Sequence, residues 1–338
     1  MKNLYKIKWL NIILLVILAS CMLSMAGFSQ ENKIIIKLGH HHTLGSIADQ
    51  AARKLSEIVK EKSNGNVEID IYPGAQLGQE TEACEGILMG TLQMTIVSPS
   101  FYDTTVKGFG VDVLPFMYKD IDQINMVLNE SSVGKELDKR FIEKGGRILG
   151  WYSEGFREMI FREKEIKTFE ELKGLKMRSP ENEIWIEMFR ALGCGPTPIT
   201  WGECYTALRA GITDGMESPL SNVEEMKFDE AIKYCLLTHH MMGEMILVIN
   251  EKFYQGLPED IQKIIIEAGH EAADYATQLA REIDKAAIGR LEEKGIKFNE
   301  VSEEDSVKFK EALTPVVDKW AKDHDCTDIV EDIRKLTE

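Results

Sequence analysis

Residues 34–97 read IIIKLGHHHTLGSIADQAARKLSEIVKEKSNGNVEIDIYPGAQLGQETEACEGILMGTLQMTIV, and the apolar spacing within them changes period repeatedly. Ile34-Ile35-Ile36 is a short apolar run, the signature of a buried strand. Ile47, Ala51, Leu55, Ile58 and Val59 then recur at helical spacing. Asn64-Gly65-Asn66 marks a turn, after which Val67, Ile69 and Ile71 alternate with Glu68 and Asp70 as in a half-buried strand. A helix from about Glu80 to Met89 and an apolar strand at Met94 to Val97 complete a β-α-β-α-β rhythm. That order predicts an α/β fold with a parallel-rich sheet and helices on its faces.

A second, similar rhythm starts further on. Arg147–Tyr152 and Glu158–Phe161 read as two strands, and Thr168-x-x-Glu171 has capping-box spacing before a short helix ended by Gly174. Leu175–Arg178 is extended, Asn182–Leu192 helical, Thr197–Ile199 extended, and Trp201–Ala210 a helix stopped by Gly211. From Pro258 to about Lys294 helical periodicity continues without proline, although Gly269 and Gly289 interrupt it. A helix of that length runs about 50 Å, longer than a typical domain radius, and predicts an element bridging two domains. Two domains are also what 338 residues suggest, since a single core of that size is unusual.

The N-terminus reads as a signal peptide over residues 1–26. Lys2, Lys6 and Lys8 make a basic start, followed by a mostly apolar stretch from Trp9 to Ala19. Leu18-Ala19-Ser20-Cys21 resembles a lipobox, which would lipidate Cys21, while Ser24-Met25-Ala26 offers an ordinary cleavage site. Both routes place the mature chain outside the cytoplasm: periplasmic, or anchored to the outer face of the membrane through Cys21. Removing 1–26 takes away three lysines and no acid, moving the formal charge from −16 to −19. Such a surface excludes nucleic acid as a partner, and any bound anion must be held by a local pocket. The six cysteines are scattered without close pairs, as buried thiols acting as small hydrophobes.

Against this acidic background two arginines stand out. Arg157 and Arg178 adjoin strand-like segments, and the guanidinium fork matches a carboxylate bidentately. Asp214-Gly215-Met216-Glu217-Ser218-Pro219 reads as a tight turn at a sheet edge, where α/β proteins tend to hold ligands. Trp201 is a candidate pocket wall. His40-His41-His42 invites a metal reading, but only His40 and His42 share a face of an extended segment and no partner carboxylate is placed beside them. Neither a metal nor a cofactor is expected. Hydrolase, zinc-protease, phosphate-loop and dinucleotide signatures are all missing from the sequence.

The landmarks YPGAQLGQE (72–80), GFGVDVLPFMY (108–118), GFRE (155–158), ELKGLKMRSP (171–180) and ALGCGPTPITWGECYTALRAGITDGMESPLSN (191–222) fall in a familiar order. With the stretch Lys227–Tyr234, they make the chain, from about residue 34 to 285, similar to the DctP-type substrate-binding proteins of TRAP (tripartite ATP-independent periplasmic) transporters. The resemblance implies a two-domain clamshell with mixed sheets, a swapped strand and a long helix spanning both domains. Domain I would comprise 30–154 plus 242–282, domain II 155–241 plus 283–338, and the spanning helix about 258–294. It implies that Arg178 salt-bridges a substrate carboxylate, with Arg157 supporting it. Trp201, Glu217 and Ser218 would line the pocket, Glu80 and the His40 region would close it, and Ser98 would contribute from a strand end. The family often has Asn where Ser218 stands, which bears on which acid fits. The implied partners are a small organic acid, a sugar acid ahead of a C4-dicarboxylate, and the permease subunits that receive it. A receptor feeding a sensor protein would share this site. An enzyme would need an acid–base pair, for which Glu80 and Glu217 are the candidates.

Overall fold

The computed structural model describes residues 33–338; the signal peptide read at 1–26 and Cys21 lie outside them. Nine strands form one mixed sheet in the order β2-β1-β3-β8-β4-β7-β5-β6, with β9 also pairing β8. They are β1 (Ile34–His40), β2 (Val67–Tyr72), β3 (Met94–Val97), β4 (Gly146–Phe161), β5 (Lys176–Ser179), β6 (Gly195–Pro198), β7 (Gly215–Pro219), β8 (Tyr234–Asn250) and β9 (Lys297–Glu300).

The outer pairs β1·β3, β5·β6, β5·β7 and β8·β9 run parallel. The central pairs β3·β8, β8·β4 and β4·β7 are antiparallel, so the sheet is more mixed than the β-α-β rhythm suggests. β4 and β8 pair from Gly146↔Asn250 to Phe161↔Tyr234 and form its spine. β3 joins one end of β8, at Ile246–Ile249, whereas β7 joins the other end of β4, at Arg157–Phe161. Each long strand therefore serves two halves of the sheet, which is the strand sharing implied by the family resemblance.

Two segments differ from the sequence reading. The strands expected at 147–152 and 158–161 are one strand, β4, which keeps its ladder through register shifts at Ile148/Gly150, Ser153/Phe156 and Arg157/Met159. Gly155 in the middle shift has φ +94°, a conformation glycine adopts without strain. The expected turn DGMESP is instead the fully buried strand β7, from Gly215 to Pro219. Its Asp-Gly start is not a loop signal here: a Cβ on Gly215 would lie 2.3 Å from the Ile160 carbonyl oxygen, so glycine permits close strand approach.

Helix α1 (Ile47–Lys62) is N-capped by Ser46, whose Oγ accepts from the Asp49 amide, and it buries Ala51, Leu55 and Val59. Next come α2 (Glu80–Met89), α3 (Ser132–Lys144), α4 (Glu183–Ala191), α5 (Cys204–Ala210) and α6 (Leu220–Glu225). The short helix after Thr168 is 3-10, and both capping-box bonds are made. The long helix α7 (Glu259–Glu293) packs on β4, on α1 and on α6, and so crosses both halves of the sheet. Its crossing of β4 is built from small residues: a Cβ on Gly269 would lie 2.5 Å from the Leu149 Cβ, and one on Gly150 2.7 Å from the Ala273 Cβ. The chain ends in α8 (Glu303–Asp323), packed on α4, and α9 (Thr327–Thr337), packed on α3. Phe309, Leu313, Trp320 and Ile333 from these two helices enter the main core. Cys84, Cys194, Cys204, Cys235 and Cys326 are free and buried, in keeping with the small-hydrophobe reading. Among the described residues no helix is long and apolar enough to cross a membrane.

Candidate functional site

A pocket opens where the two halves of the sheet meet. His41 and His42 just beyond β1, Ser98 after β3, and Arg178 and Pro180 at the end of β5 reach it from carboxyl ends of strands. Glu80 enters from the start of α2, Trp185 from α4, Trp201 from the turn before α5 and Asn222 from α6. The spine contributes Glu154 and Arg157 from β4, and Gly243 to Met245 from β8.

The two arginines are in different electrostatic situations. Arg157 presents its fork to Glu217: Nη2 donates to Oε1 at 2.9 Å, and Nε pairs with Oε2. The Arg157 guanidinium also lies 5.6 Å from the Trp185 ring. Burial alone would raise the Glu217 carboxyl, but Arg157 outweighs it and holds that carboxyl below the usual range. Arg178 is 2% exposed and has no acidic partner among the described residues. Its Nε donates to the Ile199 carbonyl at 2.9 Å, and its guanidinium sits 5.7 Å from the Trp201 ring. Among the described residues no acceptor meets its two terminal nitrogens. A buried guanidinium with its fork open suits an anion from solution.

The remaining polar groups are mostly acids and histidines. Glu154 is buried; its Oε2 accepts from Asn222 Nδ2 at 3.1 Å, and its Oε1 has no hydrogen-bond partner. Glu244 is buried with neither oxygen meeting a donor at hydrogen-bonding geometry. Burial pushes both carboxyls, and that of Glu80, above the usual range. His41 Nε2 lies 3.6 Å from Glu80 Oε1, and His42 Nδ1 3.4 Å from Glu225 Oε1. Burial would depress His42, but Glu154, Glu225 and Glu80 together push it up to about 9, so it is a cation at neutral pH. His41 is held below its usual value by burial and by the neighbouring His42, His40 and Arg178.

Of the residues singled out in the sequence, Arg178, Arg157, Trp201, Glu80 and Ser98 line one pocket. His40, Glu217 and Ser218 do not. His40 turns to Asp49, 3.5 Å away, leaving the wall to His41 and His42. Glu217 sits behind Arg157. Ser218 is fully buried in β7, and its Oγ donates to the Pro219 carbonyl. An asparagine does reach the pocket, four residues on, as Asn222. Sequence reading missed Glu154, Trp185, Asn222 and Glu244. Glu154 immediately precedes the GFRE landmark and Asn222 ends another, whereas Glu244 lies in β8, a strand without alternation that carries no local signal.

Comparison with known proteins gives the chain a family. Residues 38–323 match the bacterial extracellular solute-binding protein family 7, DctP. The C4-dicarboxylate-binding periplasmic protein DctP of Rhodobacter capsulatus is 30% identical over 291 residues, 86% of this chain and 87% of that one. A TRAP periplasmic solute-binding protein of Roseobacter denitrificans with bound β-D-glucuronate superimposes with a TM-score of 0.85 at 27% identity, covering 90% of this chain and all of that one. The sugar acid binding protein DctPAm of Advenella mimigardefordensis, in complex with galactonate, gives 0.85 at 25% identity, with 90% and 97% covered. The expected architecture, a two-domain α/β clamshell with mixed strands and a domain-spanning helix, is thus the one this chain adopts. The chain belongs to the bacterial extracellular solute-binding proteins of family 7, the DctP-type substrate-binding proteins of TRAP transporters.

Proposed function

We propose that this protein captures a small monocarboxylic sugar acid outside the cytoplasm and delivers it to a TRAP permease, with Arg178 as the carboxylate anchor. The observation that carries this is the contrast between the arginines: Arg157 is neutralised by Glu217, while Arg178 is buried, unpaired and open to the pocket. Trp201, beside that guanidinium, offers the flat face a sugar ring or chain packs against. Relatives with bound β-D-glucuronate and galactonate support a sugar acid. Glu80, Glu154 and Ser98 would complete the contacts, with Glu217 acting through Arg157.

Closure would follow from the shared spine. Domain I, 30–154 plus 242–282, and domain II, 155–241 plus 283–338, would hinge at the β4 bulge between Ser153 and Phe156, opposite Met242 and Glu244. A ligand touching both sides favours the closed state by its differential affinity. The chain would bind without turnover: of the two candidate acid–base groups, Glu217 is locked to Arg157 and stands outside the pocket. Export through the segment 1–26, with cleavage or with lipidation of Cys21, would deliver the protein to the permease's outer face.

A thermal-shift screen of the mature chain against uronates, aldonates, C4-dicarboxylates and keto acids tests the reading. A ligand at a thousandfold excess over its dissociation constant adds about 4 kcal/mol of stability. The expected result is a shift confined to sugar monocarboxylates; a shift with C4-dicarboxylates alone would overturn the substrate class.

A further inference from the structure

Arg178 accounts for one end of a ligand. What the rest of the pocket asks for can be read from carboxyl oxygens that lack partners. Glu154 and Glu244 are neighbours on the spine, because Glu154 follows Ser153 and Ser153 is the ladder partner of Glu244. Both line the pocket, and they are 2% and 1% exposed. Oε1 of Glu154 meets no hydrogen-bond donor, and the two oxygens of Glu244 have only the Ser153 hydroxyl beside them, outside good hydrogen-bonding geometry. Buried polar atoms are nearly always paired, so two under-paired acids that line one cavity mark where donors are supplied from outside.

The charges around these acids point the same way. The ionisable groups acting on Glu244 are two further acids, Asp112 and Glu154, and Ser153 is its polar neighbour. Asp112 is itself fully buried, with only backbone amides of its own turn beside its carboxyl. Two cations act on Glu154, and neither is left over for a ligand: His42 is shared between Glu154 and Glu225, and Arg157 is matched by Glu217. The pocket thus has a cationic anchor at Arg178 and an acidic region at the centre of the spine.

We propose that Glu154 and Glu244 form a donor-recognition subsite, which takes hydroxyl or ammonium groups on the ligand's tail and rejects a second carboxylate. The inference rests on the Arg178 reading and sharpens it. The preferred ligand is a monocarboxylate with a donor-bearing tail, because a second carboxylate would be buried beside acids with no unmatched cation to pair it.

The test is calorimetric titration of the mature chain with D-galactonate, with D-galactarate, which carries a carboxylate at both ends of the same polyol, and with 6-aminohexanoate. The expected result is that galactonate or 6-aminohexanoate binds at least about 100-fold tighter than galactarate, whose second carboxylate would be buried without a cation to pair it. Which of the two binds tighter says whether the tail donor is hydroxyl or ammonium. Glu244→Gln, and independently Glu154→Gln, should narrow the gap at least about tenfold by putting an amide donor where an acid stood. Galactarate binding as tightly as galactonate and 6-aminohexanoate, or a ratio unmoved in both variants, overturns the subsite. Arg178→Ala separates the two claims. If it abolishes galactonate binding while the ratio is unmoved by the glutamine variants, only the subsite fails. If it leaves galactonate binding intact, the anchor fails. No binding by either monocarboxylate overturns both.

Discussion

Arg157 and Arg178 are the same side chain in the same pocket, and their neighbours alone make one structural and the other receptive. Glu217 closes the fork of Arg157, so its charge is spent within the protein. Arg178 keeps an open fork at 2% exposure, an arrangement that costs desolvation until an anion arrives. Between them in sequence, Glu158 of the GFRE landmark does different work. Its Oε2 accepts from the amides of Thr238, at 2.6 Å, and His239, at 3.0 Å, fastening β4 to β8 beside the third register shift. Burial pushes its carboxyl up to about 8. In the unfolded chain the same group ionises near 4.5. The folded state therefore holds the extra proton between those values, and stability falls as pH rises from about 4.5 to about 8. Glu158→Gln keeps an acceptor for both amides and removes this slope. Its melting temperature should exceed the wild type's by several degrees at pH 8 and match it at pH 4.5. A difference that does not change with pH would contradict the assignment.

At the scale of elements, the long helix α7 shows how a sequence feature can be right in extent and opaque in purpose. Its span was legible from periodicity, yet Gly269 reads as a helix-weakening interruption. Its reason is the packing against β4, where Leu149 leaves no room for a Cβ. Gly269→Ala should therefore destabilise despite better helix propensity, by about 1–3 kcal/mol as overpacking does, seen as a lower midpoint in urea; a gain in stability would refute the packing argument. The α1 and α2 segments were legible for a simpler reason, since their apolar period matches a single buried face, and β3 was legible as a short apolar run, buried throughout. The β7 and β8 segments were not. β7 carries Asp-Gly and Pro because strands approach closely and then turn into α6, and those residues look like a loop without the neighbouring strand in view. β8 is buried on both faces for most of its length, so alternation is lost.

For the whole molecule, the spine of β4 and β8 puts the pocket where the halves meet, and this explains which site residues could be named in advance. Arg157, Arg178 and Trp201 belong to landmarks with strong residue types. Glu154 and Glu244 are ordinary glutamates until the ladder pairs Ser153 with Glu244 and the cavity faces them. His41 and His42, rather than His40, reach the wall because the chain leaves β1 at His40 and no longer alternates as a strand. The proposed function stands or falls on Arg178 as the anchor of the ligand's carboxylate. The most direct test is the dissociation constant of Arg178→Ala for whichever sugar acid stabilises the wild type most. The prediction is a loss of about 2–5 kcal/mol, much of it from a buried ligand carboxylate left unpaired, with Arg178→Lys recovering only part because an ammonium cannot form the fork. An unchanged dissociation constant in Arg178→Ala would contradict the account.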